Sequence, residues 1–532
     1  MLTRLSIREK VAYALGDGSA NIAWRAVSTF LFIFYTDVFG LNPATVGLLM
    51  LVARFSDGVS DVLMGVVGDR TRTRFGKFRP WILWTALPLG VILSLLFTCP
   101  DWSMTSKIVY AYSTYILFTL IYTANNIPYG ALMAVMTDDD KERTSLGSYR
   151  MVGAFAGGMI VQGALLFLVS YYGDVNPSID VSRKAEAQYE VGISVPHDVR
   201  NVSVGTANSI ALFTTPGSDD EPATAKSFTA RAGERYTFVL TGEDDLTPAD
   251  IKVIDQRSGY GKAVYLLSAF LAVFMIVTFL FTRERVSPPK AQKNNLLRDL
   301  RDLVSNYPWI ILLLTGLLFN IYNNTKQGIT VIYFTHYVHD QLLAASYMVC
   351  LMLASIAGAM ATAPLGRLWG KKRLFIYALI FSGAVNALMA LCSPDDIGAI
   401  FVIGIVAEAA AAIFPTLFFA MLGDVADYSE FVNGRRATGL VYSAGSFATK
   451  FGGGIAGAII GAILAHFGYV GTDASTIGHA LPGIVMLMSW VPALIVLAGA
   501  VLMLFYPLSR AKTDEITAGL IARREREQAA TE

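Results

Sequence analysis

Apolar stretches of about 20 residues, the length of helix that crosses the hydrocarbon core of a bilayer, recur along the whole chain. Six lie before Phe281, centred near residues 28, 54, 90, 122, 160 and 271, and six follow, near 318, 356, 383, 410, 455 and 494. With 54% hydrophobic and only 16% charged residues among 532, the sequence is too apolar for a soluble protein. The expectation is an all-α polytopic membrane protein in contact with a lipid bilayer. Net charge is +1 and no basic tract interleaves with aromatics, which removes any compositional reason for a nucleic-acid partner. Cys99, Cys350 and Cys392 match no metal spacing and read as free thiols. Nothing resembles a nucleotide loop, metal cluster or nucleophile motif, so neither an enzyme nor a cofactor is expected. The basic start Met1 to Lys10 runs into a long apolar helix without a small-residue cleavage site, as a first transmembrane segment does.

Positive charge sets the topology. Arg70, Arg72, Arg74, Lys77 and Arg79 follow helix 2, Lys141 and Arg143 follow helix 4, and Arg283, Arg285, Lys290 and Lys293 follow helix 6. Arg367, Lys371, Lys372 and Arg373 follow helix 8, and Arg435 and Arg436 follow helix 10. The opposite loops, such as 393–399 and 468–483, are almost free of Lys and Arg. Both termini are therefore expected in the cytoplasm. The halves echo each other: Gly68 to Arg74 after helix 2 corresponds to Gly366 to Arg373 after helix 8, and Met136 to Asp140 to Gly423 to Tyr428. Two six-helix repeats around a polar midplane are the architecture of major-facilitator transporters.

One stretch departs from this plan. Between helices 5 and 6, about Tyr172 to Tyr260, lies a polar segment far longer than a connection. It holds β-rich runs at Ala230 to Leu240, Ser209 to Phe213 and Ile251 to Ile254. A small β-rich domain on the outer face is expected, either a passive insertion or a part of substrate capture. The expected division is thus 1–171 for helices 1 to 5, 172–260 for the insertion and 261–282 for helix 6. A cytoplasmic linker at 283–306, a second six-helix bundle at 307–508 and a cytoplasmic tail at 509–532 complete it.

Charges inside the apolar segments are the candidate machinery, because an ionised side chain in a bilayer is costly and persists where it has work. Asp57 and Asp61 share one face of helix 2, placed to hold a cation between them or to share a proton. Arg54, three residues earlier, either keeps Asp57 ionised or makes a structural ion pair with it. Asp17, Asn21 and Arg25 stack along helix 1 as a cavity lining. Helix 4 carries a wet patch of Tyr122, Thr123, Asn125 and Asn126 before Pro128, and Arg150 opens helix 5, either in the cavity or snorkelling to the interface. Asn320, Asn323, Asn324, Lys326 and Gln327 form a polar run in helix 7, and Lys450 sits in helix 11. A lysine at that depth needs a counter-ion, and the helix 2 carboxylates are the nearest candidates by type. The loop with Asp69, Arg70, Arg74 and Lys77 reads as a cytoplasmic charge network that gates the inward side.

The segments Tyr13 to Asp17, Tyr35 to Gly40, Leu51 to Asp61, Arg74 to Trp81, Asn126 to Leu132 and Gly423 to Tyr428, together with Lys450, resemble the glycoside-pentoside-hexuronide:cation symporters, the family of melibiose permease. The resemblance covers nearly the whole chain outside 172–260. It implies a coupling Na⁺, Li⁺ or H⁺ at Asp57 and Asp61 with Thr123 nearby, sugar contact at Arg150 and Tyr122, and Lys450 between the sugar and cation sites. It implies departures too: Asn21 and Asn126 stand where melibiose permease has aspartates, Gly130 replaces a pocket tryptophan, and a second tryptophan aligns near Pro415. Fewer anions, with Arg25 and Lys326 added to Arg150 and Lys450, favour an anionic ligand.

The expected function is therefore Na⁺- or H⁺-coupled import of an acidic, uronate-type sugar by alternating access across a bacterial inner membrane, by a monomer. Substrate contacts are assigned to Asp17, Asn21, Arg25, Tyr122, Asn126, Arg150, Asn320, Asn324, Lys326 and Lys450. A neutral pentoside or glycoside symporter and a lysolipid symporter of the same superfamily are the alternatives.

Overall fold

The computed structural model describes residues 5–137, 140–185, 188–206, 227–241, 246–285, 306–433 and 438–529. Helix α1, Ile7–Arg25, starts at a Ser-x-x-Glu capping box: the Glu9 N–H donates to Ser6 Oγ at 3.2 Å while Glu9 Oε2 accepts from the Ser6 N–H. It runs on through two π-helical turns, Ala26–Phe30 and Phe34–Val38. There follow α2 (Pro43–Arg70), α3 (Arg79–Leu96), α4 (Met104–Met136), α5 (Asp140–Gly173) and α6 (Gln256–Phe281). The second half holds α7 (Tyr307–His336), α8 (Gln341–Trp369) and α9 (Lys371–Ala387). After these come α10 (Ile397–Ala411 continued by Ile413–Asn433), α11 (Thr438–His466) and α12 (Ile477–Met488 continued by Trp490–Leu504). A polar helix α13, Arg510–Ala529, closes the chain.

Among the described residues, 7 helical stretches are long and apolar enough to cross a membrane, and Pro43–Arg54 and Lys450–His466 are shorter apolar helices. The outward faces are apolar as well as the inward ones. On α3, Leu87, Val91 and Leu95 are exposed one turn apart while Ile82, Ala86, Leu89 and Leu93 are buried. A helix that is greasy on both sides belongs in lipid.

The chain forms two compact units. One comprises 1–288 with 327–349 and 457–484; the other comprises 289–326, 350–456 and 485–532. In the first, α1 packs along α5 and α6. The crossing is so close that a Cβ on Gly153 would lie 2.0 Å from the Ala14 carbonyl oxygen, and one on Gly157 2.2 Å from that of Gly18. Small residues are what allow helices to approach this closely in a membrane. Arg150, one turn before Gly153, is thereby brought to Asp17. The second unit is centred on an aromatic and aliphatic core in which Phe319 stacks on Phe414 with centroids 3.7 Å apart.

The insertion is a small two-sheet domain. Strands β1 (Ser178–Ala185), β2 (Gln188–Ser194) and β5 (Arg235–Thr241) form one sheet in the order β1-β2-β5. Strands β3 (Val199–Thr206), β4 (Phe228–Ala230) and β6 (Ile251–Asp255) form the other, in the order β4-β3-β6. Val191, Ile193, Val202, Val204, Phe238 and Val253 fill one core between them. Of the runs expected to be β-rich, 209–213 lies outside the described residues, and the other two are strands β5 and β6. Asp101, in the connection before α4, receives hydrogen bonds from Arg200 on β3 and Arg257 on α6. Arg200 and then Arg257 hold its carboxyl below the usual range, so the clamp is lost only as pH falls through that lowered value.

The loop after α2 is pinned by a residue with no sequence signal. Glu284, just beyond α6, accepts the backbone N–H groups of Lys77 at 2.9 Å, Phe78 at 2.8 Å and Arg79 at 3.0 Å. It caps the start of α3 from a distance of some 200 residues in sequence, and Gly76, at φ +112, leaves the space its carboxylate occupies. Removing a carboxylate acceptor from three backbone donors should cost about 1–3 kcal/mol. Glu284→Ala is expected to lower the melting temperature in detergent and to raise amide hydrogen exchange at Lys77, Phe78 and Arg79, with Glu284→Gln in between.

Candidate functional site

The polar midplane of the first unit is built on α2. Arg54 and Asp57 are 5% and 4% exposed, and Arg54 Nη1 donates to Asp57 Oδ2 at 2.7 Å. The second arm of the guanidinium, Nη2, donates to the Tyr115 hydroxyl at 2.8 Å, and its plane lies over the Trp24 ring at 4.9 Å. Trp24 in turn tilts against Tyr122 with centroids 5.6 Å apart. One helical turn on, Asp61 Oδ1 accepts from the Thr123 hydroxyl at 3.0 Å. Asp57 thus bonds a guanidinium and Asp61 a hydroxyl.

Facing this on α1, Asp17 is 6% exposed and accepts from Arg150 Nε at 3.2 Å. Arg150 also lies over the Tyr129 ring at 5.6 Å, and Tyr129 stacks on Tyr13 while its hydroxyl donates to the Tyr13 carbonyl at 2.6 Å. Asn21 turns its amide back to the Asp17 carbonyl at 2.9 Å, leaving its own oxygen for other donors. Arg25 Nη1 donates to the Gln327 side-chain oxygen at 2.7 Å. Asn126 is half-buried on α4, and a Cβ added at Gly130 would meet nothing within 4 Å, so the position reads as open space.

In the second unit the polar run of α7 divides between two faces, as its spacing requires. Asn320 and Asn324 donate to carbonyls one turn earlier and lie against Gly452 and Gly453 of α11, where a Cβ on Gly452 would come within 2.7 Å of Asn320. Lys326 is on the other side with Tyr322. It is 3% exposed, its Nζ is 3.4 Å from the Tyr322 hydroxyl and 3.8 Å from Glu408 Oε2, and Glu408 Oε1 accepts from Ser355 at 2.9 Å. Glu408 is the residue the sequence reading passed over: a lone carboxylate in the apolar run Ile397–Ala411 was the available signal. Lys450 is half-buried in this unit, whereas Asp57 and Asp61 belong to the other.

Of the expected gate residues, the side chain of Asp69 lies outside those described. Arg70 and Arg74 are exposed, Arg74 lying 4.7 Å over the Phe75 ring, and Lys77 binds Glu284 through its backbone. Trp24 and Tyr115, which hold Arg54, also gave no motif. Among the described residues no group of three or more His, Cys, Asp or Glu could hold a metal ion. Paired carboxylates with a hydroxyl beside them offer oxygen donors of the kind a cation takes.

Apolar helices enclosing matched charges are the architecture of an integral membrane transporter. The chain belongs to the family of MFS/sugar transport proteins, which matches residues 12–187 and 239–510. The gap in that match falls inside the β insertion. The inner membrane symporter YicJ of Escherichia coli K12 is 29% identical over 94% of this chain and 91% of its own length. The isoprimeverose transporter of Lactiplantibacillus pentosus is 29% identical over 98% and 92%, and the glucuronide carrier protein homolog of Escherichia coli K12 is 29% identical over 99% and 98%. The fold is shared with a bacterial homolog of the human lysosomal transporter Spinster, solved inward-facing and unoccupied, at a TM-score of 0.61 and 12% identity over 94% of this chain and 99% of that one.

The Arg54 contacts generate a stability test. Arg54→Ala strands the buried Asp57 carboxylate and should destabilise the protein by about 3–5 kcal/mol. The double variant Arg54→Met with Asp57→Leu, which removes both charges, should recover most of that loss. Thermal unfolding of the purified protein in detergent measures both.

Proposed function

We propose that this protein is a cation-coupled importer of an acidic sugar, with the coupling ion at Asp61 and Asp57 and both termini in the cytoplasm. The observation that carries the reading is the pair of α2 carboxylates one turn apart, with the Thr123 hydroxyl on Asp61. Arg54 binds Asp57 at 2.7 Å, and one turn on, Asp61 accepts from the Thr123 hydroxyl at 3.0 Å, whose oxygen can turn towards an arriving cation held between the carboxylates. Asp17, Asn21, Arg25, Tyr122, Asn126 and Arg150 are the candidate cargo contacts of the first unit, Asn320, Asn324, Lys326 and Lys450 those of the second, and Asp69, Arg70, Arg74 and Lys77 gate the inner side.

Two features support an acidic cargo. The candidate residues add the cations Arg25 and Lys326 to Arg150 and Lys450, and a full-length relative is named as a glucuronide carrier homolog. At 4 Å and an effective dielectric of about 20, one favourable charge contact is worth roughly 4 kcal/mol. A neutral pentoside or glycoside is the second reading. It is favoured by the carboxylates beside two of these cations, Asp17 on Arg150 and Glu408 near Lys326, and by a relative named as an isoprimeverose transporter.

Uptake of a radiolabelled panel of neutral and uronate sugars into proteoliposomes, under imposed Na⁺ or H⁺ gradients, distinguishes these. Gradient-driven accumulation of a uronate is the expected result; transport of neutral glycosides alone would overturn the acidic assignment. Asp61→Asn is expected to abolish gradient-driven accumulation while sugar exchange persists, and unaltered concentrative uptake in that variant would remove Asp61 from the cation site.

A further inference from the structure

Far from α2 Asp61, at the end of the first unit that carries the β insertion, three residues separated by hundreds of positions meet. Tyr469 donates its hydroxyl to Asp37, 2.8 Å from Oδ1 and 2.9 Å from Oδ2. His336 Nε2 lies 2.9 Å from the Tyr469 oxygen and 3.1 Å from Asp37 Oδ2. With the tyrosine proton spent on the carboxylate, only an Nε2–H can face both oxygens, so this nitrogen carries the proton. Thr36 Oγ1 donates to Asp37 Oδ1 at 2.7 Å and closes the cluster. The side chains of His336 and Asp37 are 4% and 9% exposed, and Tyr469 is 1% exposed. The insertion fixes which end this is: Tyr260, five residues after β6, packs on Phe34 with centroids 5.4 Å apart.

A seam without side chains runs beside the cluster. A Cβ on Gly461 of α11 would be 2.4 Å from the Pro43 carbonyl oxygen at the start of α2, one on Gly47 2.7 Å from that of Gly457, and one on Gly471 2.5 Å from Asp37 Oδ1. Backbone therefore lies on backbone here.

We propose that Asp37, His336 and Tyr469 are the outer gate of the transport path, a polar lock that holds the insertion-side ends of α1, α7 and α11 together and is broken once in each cycle. The argument is physical. A buried carboxylate with a histidine and a tyrosine is a poor choice for permanent packing, where apolar groups serve better. Its hydrogen bonds can be exchanged for water at small net cost, which suits a contact that forms and dissolves. The glycine seam has the same property, since smooth surfaces part without disengaging interlocked side chains. The lock joins helix ends from both halves of the sequence, and in a protein built of two repeats those are the ends that must separate to admit substrate. The inference rests on the protein importing its cargo by alternating access, and not on the identity of the sugar or the coupling ion.

The test uses the full chain with Cys99, Cys350 and Cys392 replaced by serine and a single cysteine placed at Asn21. Labelling of that thiol by a membrane-impermeant methanethiosulfonate applied from the insertion side is followed without any substrate. Tyr469→Phe, which keeps the ring, and His336→Gln and Asp37→Asn, which keep the shape, should each raise the labelling rate about ten-fold. That is the shift expected when a two-state equilibrium loses one charge-assisted hydrogen bond. Gly461→Val, which props the seam apart, should raise it further. Unchanged labelling in the three lock variants, each eluting as monodisperse protein, would overturn the proposal. Because no sugar or ion gradient enters the measurement, failure of the symport reading leaves its outcome intact.

Discussion

In an apolar interior every charge must find a partner before the helices carrying it can settle, and the pairing of buried ions is what the rest of this structure depends on. Arg54 shows how far this reaches. Its guanidinium engages Asp57 on its own helix, Tyr115 on α4 and Trp24 on α1, so one side chain fixes three helices at the level of the α2 carboxylates. Arg150 does the same for α1 and α5 through Asp17 and Tyr129. The Lys326 and Glu408 pair, with Ser355, serves α7, α8 and α10. The polar groups that would handle substrate are thus also the groups that orient the bundle.

This double duty explains what the sequence made legible. The membrane class, the insertion, the motifs of the family and the likeness of the two α2 carboxylates follow from hydropathy, spacing and local pattern. Partnership does not, because it depends on residues distant in the chain. Glu284 caps α3 without belonging to any motif, and Glu408 is a single carboxylate in an apolar run whose lysine lies 82 positions away. The π-helical turns in α1 hid more. They carry an extra residue each, so a 3.6-residue periodicity extrapolated from Asp17, Asn21 and Arg25 loses its phase before Asp37. Counting charges leaves partnership out in the same way: Arg25 and Lys326 both add positive charge, and Glu408 lies beside one of them.

The contrast between the polar clusters is chemical. Asp57 takes a permanent cation at short range, while the Thr123 hydroxyl on Asp61 and the Tyr469 hydroxyl and His336 imidazole on Asp37 make hydrogen bonds that water can replace. Fixed pairs set geometry, and exchangeable ones leave room for motion and for cargo.

The β insertion leaves and re-enters the membrane domain through one doorway. Asp174 pairs with Ile254, and the Val175 N–H donates to the Val253 carbonyl, so the first and last residues of the domain are neighbours directly above α5 and α6. The family match stops at residue 187 and resumes at 239, within the domain so enclosed. A module with adjoining ends can be gained, lost or exchanged during descent without altering the spacing of the helices beneath it. The same arrangement makes the doorway a natural junction for grafting a foreign domain onto the transporter.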